Sequence, residues 1–162
     1  GGMTKESTKK AQEVYRIFVE GELLATNSRT AEMAKLTENA SRDVSIAFAN
    51  ELSIISDKLD INVWELIELA NHHPRVNILQ PGAGVGGHCI AVDPWFIVNQ
   101  NPEEAKIIRA AREINDNKPN WVIEKINAEV DSLKAQGIEK PTVALLGLAF
   151  KPNIDDLRES PA

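Results

Sequence analysis

Cys89 and Asp93 stand four residues apart, just after the glycine-rich run Pro81–Gly87 (PGAGVGG). A thiol and a carboxylate at that spacing share one face if the segment is helical. A cysteine at a helix start, behind a glycine loop, has its thiolate favoured by the local amides and dipole. A neighbouring carboxylate can then serve it as a base, which suits nucleophilic chemistry. The competing reading is burial of a lone cysteine as a small hydrophobe. On the residues alone the two readings are level.

A second polar group lies at Lys35, Asn39 and Arg42, spaced i, i+4 and i+7. As a helical stripe it could form an anion site, with Lys and Arg supplying charge and Asn a neutral donor. The plainer reading, a solvated helix face, is favoured over it. Gly82, Gly84 and Gly87 match G-x-G-x-x-G. That pattern signals dinucleotide binding only between a strand and a helix, and here a helix and a loop precede it. The better reading is a backbone that something must approach closely, which glycine permits. His72 and His73 are adjacent and lack a companion cluster, so no metal site is expected.

The elements that must position these groups are mostly helical. In 162 residues, 18 Lys+Arg face 24 Asp+Glu, a net charge of −6. That balance argues against nucleic-acid binding, which needs a basic patch. No apolar run reaches the ~18 residues of a membrane span, and the N-terminus lacks an apolar signal core. The single cysteine excludes an intrachain disulfide and suits a reducing cytoplasm.

Gly1-Gly2-Met3 reads as a tag scar. Thr4–Phe18 carries Ala11, Val14, Tyr15 and Phe18 at helical spacing, with Thr4 as cap and Gly21 as stop. Glu22–Asn27 could be a short strand. Thr30 to Leu59 holds neither Gly nor Pro, and its apolar positions predict one long helix capped by Thr30. A shorter helix is expected over Asp60–Ala70, capped by Asp60 or Asn62, and another within Cys89–Val98, opened by Asp93-Pro94. Pro102–Asp116 reads as helical, with Ile107, Ile108, Ala111 and Ile114 inward, and Pro119 interrupts or kinks it before Trp121–Leu133. Pro141–Phe150 (PTVALLGLAF) has the look of a buried strand. The fold expected is therefore mainly α, a helical domain with short terminal strands. Val44, Ile46, Ala47, Phe48, Ile54 and Ile55 wrap around more than one face of the long helix. A two-fold dimer would bury the surplus.

Gly84–Phe96 (GVGGHCIAVDPWF) resembles the catalytic loop of the nucleotide-sugar 6-dehydrogenases, the UDP-glucose/GDP-mannose dehydrogenase family, with its GxGGxC motif and an Asp four residues after the Cys. Glu32–Asn39 (EMAKLTEN) and Phe150–Pro161 (FKPNIDDLRESP) resemble two further family motifs, in the right order. Ile90–Phe96 departs from the Leu-Pro-Lys-Asp usual in UDP-glucose members and is similar to members acting on N-acetylated UDP-sugars.

The resemblance implies NAD-dependent double oxidation of a sugar C6 alcohol, in the cytoplasm, for surface polysaccharides. Cys89 would be the nucleophile, with Lys35, Asn39 and Asp93 assisting. Arg42, His73, Arg75, Gly86, Phe150 and Lys151 would join Lys35 and Asn39 at the UDP-sugar, with Arg158 at NAD and Arg75 reaching a neighbouring subunit's substrate. It also implies a division into 1–27, a tag scar and tail of an NAD-binding Rossmann domain; 28–138, a central helical dimerisation and catalytic domain; and 139–162, the start of a truncated nucleotide-sugar domain. A fragment serving only as a dimerisation module is the alternative.

Overall fold

The computed structural model describes residues 1–162 as five helices: α1 (Lys5–Tyr15), α2 (Ser28–Lys58), α3 (Val63–Asn71), α4 (Asp93–Gln100) and α5 (Lys106–Ala135). The mainly helical fold is as the sequence implies. Thr4 caps α1 in a reciprocal capping box with Ser7, worth about 1 kcal/mol. α1 buries no residue and packs on no other helix. It ends at Tyr15 rather than Gly21, and its stripe of Val14, Tyr15 and Phe18 stays more than half exposed.

The long helix forms, with different ends from those expected. Asn27 caps α2 by accepting from the Thr30 N–H at 2.9 Å, so Thr30 sits inside the helix. An amide oxygen three residues ahead of a free N–H does what the Thr30 hydroxyl cannot do for its own turn. Asn62 rather than Asp60 caps α3; Asp60 instead makes the turn, at φ +54°.

α5 runs unbroken through Pro119. An interior proline removes one helical hydrogen bond and costs about 3 kcal/mol. Here Asn115 and Lys118, on either side of the lost bond, are buried and bonded to α2. Those tertiary bonds hold the helix continuous. Ile107 is 69% exposed, contrary to the inward placement expected. The inward side of α5 is Ala111, Arg112, Asn115 and Lys118.

α2 packs along α5 and α4, α4 on α5, and α3 on α2. Ala40, Ile97, Val98 and Ala105 form the apolar core, with Leu36, Trp95 and Ile108 against it. Neither Glu22–Asn27 nor Pro141–Phe150 forms a ladder. A single parallel bridge joins Gly2 and Asn27. Strands need a neighbour to take their N–H and C=O groups, and 141–150 has none to pair with.

Candidate active site

The Cys89 turn is built by backbone bonds. The Cys89 carbonyl accepts from the N–H of Val92 at 3.1 Å and of Asp93 at 2.7 Å, so α4 starts at Asp93 rather than at the cysteine. Pro94 falls in the first turn, where a missing N–H costs nothing. Cys89 is free and exposed, which sets aside burial as a small hydrophobe.

The Asp93 carboxylate accepts from Nδ2 of Asn39 at 2.5 Å. Asn39, 8% exposed on α2, has its Oδ1 3.5 Å from Nζ of Lys35. Lys35 also pairs with Glu38 at 3.0 Å, an exposed i,i+3 pair of little energetic weight. Lys35, Asn39 and Asp93 thus form one chain of polar groups, and the Asp93 N–H ties Cys89 to it. α2 supplies the cation and the amide; α4 supplies the carboxylate.

One turn beyond Asn39, Arg42 lines a cleft of about 430 Å³ with Gly86, Phe150, Lys151, Leu79 and Gln80. Four of the residues expected at a sugar nucleotide therefore share one hollow. Lys151 Nζ lies 5.7 Å from the Phe150 ring centre. His73 and Arg75 lie outside it, on the exposed turn after α3, where Nδ1 of His73 accepts from the Arg75 N–H at 3.3 Å. Arg158 is also apart: its guanidinium donates twice to Asp156, at 2.8 Å each. Those bonds, with His88 3.5 Å from Asp156, hold the Asp156 carboxyl well below the usual range.

The glycine loop faces its own chain. A Cβ at Gly86 would stand 2.7 Å from Cβ of Phe150, and one at Gly87 2.9 Å from the Phe150 ring, with Gly87 at φ +87°. Phe150 and the segment up to Pro161 are what approach the loop closely. No strand precedes it, and Phe150 crowds Gly86 and Gly87, so the loop lacks the strand–turn–helix setting of a dinucleotide site. No three His, Cys, Asp or Glu side chains gather as a metal site.

A buried polar seam between α2 and α5 was not foreseen. Arg112 donates to Oδ1 of Asp43 at 2.7 Å, with both side chains at most 1% exposed, and also pairs with Asp116. Asn115 donates to the same Asp43 oxygen at 2.8 Å and accepts from Asn50 at 2.9 Å. Burial pushes the Asp43 carboxyl up even against the pull of Arg112. Further along, Lys118 donates to Oγ of Ser53 at 2.5 Å, and burial lowers its pKa to about 8. The available signal was Asn39, Asp43, Asn50 and Ser53 at i, i+4, i+11 and i+14, polar positions on one helical face.

The chain is 68% identical over its whole length to a UDP-N-acetyl-D-mannosamine dehydrogenase from Campylobacter jejuni. It is 66% identical to one from Escherichia coli K12. It spans 39% of the length of each. A solved UDP-N-acetyl-mannosamine dehydrogenase from Staphylococcus aureus superposes with a TM-score of 0.84 at 50% identity, over 98% of this chain and 37% of the other. One from Pyrococcus horikoshii superposes with a TM-score of 0.84 at 44% identity, over 97% of this chain and 37% of the other. The profile of the UDP-glucose/GDP-mannose dehydrogenase family, central domain, matches residues 29–117, more than half of the chain. Three motifs, the helical architecture and this match agree, and the chain belongs to the UDP-glucose/GDP-mannose dehydrogenase family.

Proposed function

We propose that the chain carries the nucleophilic centre of an NAD-dependent UDP-N-acetyl-D-mannosamine 6-dehydrogenase. The whole enzyme would be a cytoplasmic oxidoreductase. It would make the uronic acid used in surface polysaccharides such as enterobacterial common antigen. Residues 28–138 are taken as the central domain and the flanks as parts of its neighbours. The observation that carries the reading is the Asn39–Asp93 bond of 2.5 Å, which joins the Lys35–Asn39 stripe to the Cys89 turn across 54 residues of chain. The high identity to enzymes of that name supports the choice of sugar.

When bound, NAD would accept the hydrides of the two oxidations, and Arg158 would give it a cationic contact. The Cys89 sulfur bonds to the C6 aldehyde carbon to give a thiohemiacetal. Hydride loss from C6 leaves a thioester, and water cleaves it to the carboxylate and the free thiol. Lys35 and the second N–H of the Asn39 amide offset charge on the reacting oxygen. Asp93 moves protons with a water. Arg42, Gly86, Phe150 and Lys151 hold the UDP-sugar, with His73 and Arg75 at its rim or at a neighbouring subunit's substrate.

In the full-length enzyme, Cys89→Ser should reduce NADH formation by at least ~10³-fold while UDP-sugar binding persists. Unchanged uronate production in that variant rejects the mechanism. Comparing kcat/KM for UDP-N-acetyl-D-mannosamine, UDP-N-acetylglucosamine and UDP-glucose tests the sugar separately.

A second reading, a homodimer through α2, is favoured by one observation. Phe48 and Ile55 are 50% and 46% exposed on that helix, with Met33 and Leu59 also open. Isologous packing of two such helices would cover them. It holds for the parent enzyme and also for a fragment acting only as a dimerisation module. A monomeric mass by light scattering at micromolar concentration counts against it.

A further inference from the structure

We propose that the buried seam Asn50–Asn115–Asp43–Arg112 is a brace that positions the Cys89 turn against Lys35 and Asn39, with Arg112 as its principal positioning residue. The proposal rests on the reading of Cys89 as the nucleophile. The brace grips the stretch from Gly82 to Ile90 at both ends. The Gly82 N–H donates to Oδ1 of Asn50 at 2.8 Å, and Arg112 donates to the carbonyl of Ile90, the residue after Cys89, at 3.4 Å. Between the grips the bonds are continuous: Asn50 to Asn115 at 2.9 Å, Asn115 to Asp43 at 2.8 Å, Arg112 to Asp43 at 2.7 Å. All four side chains are at most 1% exposed.

Asp43 lies four residues after Asn39, on the same face of α2. One guanidinium thus connects the turn next to Asn39 with the residue next to Cys89. Stability alone does not call for this arrangement, because apolar residues of similar volume commonly do as well or better than a buried ion pair. Nor is the pair arranged for greatest mutual strength: Asp43 Oδ2 and Arg112 Nε have no partner, so the contact is not the two-bond fork that arginine can make. Instead Nη1 alone serves two elements, Asp43 on α2 and the Ile90 carbonyl, while Nη2 goes to Asp116. Catalysis is sensitive to such placement, since a misplacement of ~1 Å can cost ~10²-fold in rate.

The test uses the full-length enzyme carrying Arg112→Lys, which keeps the charge beside Asp43 but has a shorter stem that cannot put a nitrogen where Nη1 meets both Asp43 and the Ile90 carbonyl. The expected result is a 10- to 100-fold fall in kcat with KM for the UDP-sugar within threefold of the parent. Iodoacetamide should still alkylate Cys89 at near the parent rate, showing an intact thiol in a displaced turn. A folded variant with kcat within twofold of the parent, altered only in stability, overturns the proposal. Should Arg112→Lys not fold, Asp116→Ala decides. Asp116 is half-exposed and pairs with the other arm of Arg112; the same split is expected there at three- to tenfold, and kcat within twofold overturns the brace. Cys89→Ser run in parallel separates the two failures. Turnover in Cys89→Ser sinks the nucleophile itself, whereas a dead Cys89→Ser beside an unaffected Arg112→Lys sinks only the brace.

Discussion

Arg112 and Lys118 lie six residues apart on α5, at 1% and 2% exposure, and both point into α2. Arg112 meets two carboxylates, those of Asp43 and Asp116. Lys118 meets the Ser53 hydroxyl and the face of Trp121, 3.7 Å from its ring centre. Asp57, the acid whose charge raises Lys118, is itself paired with Lys125. Burial without a bonded carboxylate pushes the Lys118 ammonium toward neutrality, to about 8. Depth of burial is the same at the two sites. The cation and its partners differ.

The sharpest way to break the contrast is to remove each cation. Arg112→Met strands the Asp43 carboxylate and should cost about 3–5 kcal/mol, read as a lower urea midpoint at unchanged slope. Lys118→Met should do the opposite and stabilise by about 1–2 kcal/mol at pH 7, because it removes a buried charge without a paired acid. Ser53 keeps its bond to the Asn50 carbonyl in that variant. Equal losses from the two substitutions would erase the distinction.

A pH series sharpens the comparison further. Lys118 binds its proton less tightly folded, at about 8, than at the ordinary 10.5. Between those values the unfolded chain holds more protons, so stability should rise with pH across that window. The rise should vanish in Lys118→Met. The smallest effect belongs to Lys125→Ala, which breaks the half-exposed pair with Asp57 and should cost no more than ~1 kcal/mol.

Most of the helical frame was legible in the sequence, because the stripe in α2, the Thr4 cap and the Asn62 cap depend on near neighbours. Of the candidate site the residues alone offered two short spacings, 35/39 and 89/93. The first reads better as a solvated face and the second no better than a buried cysteine; their roles came from the family resemblance. The seam was not legible. Its partners stand 65 to 72 residues apart, and Asp43 or Arg112 alone reads as an ordinary surface charge. Pro119 misled for the same reason: local chemistry says break, and bonds from distant residues keep α5 whole. The terminal strands were a local reading too, of an apolar run whose pairing neighbour no spacing can supply.

α1 has a capping box and eleven residues, yet it buries none of them and touches no other helix. An isolated helix of that length is marginal in water, since nucleation is costly and tertiary packing supplies most helical stability. Its amide hydrogens should therefore trade with deuterium through local fraying. Those in the middle of α2 and α5 should wait for far larger openings. The first helix is, in that sense, a separate cooperative unit that melts without disturbing the thiol or the cleft.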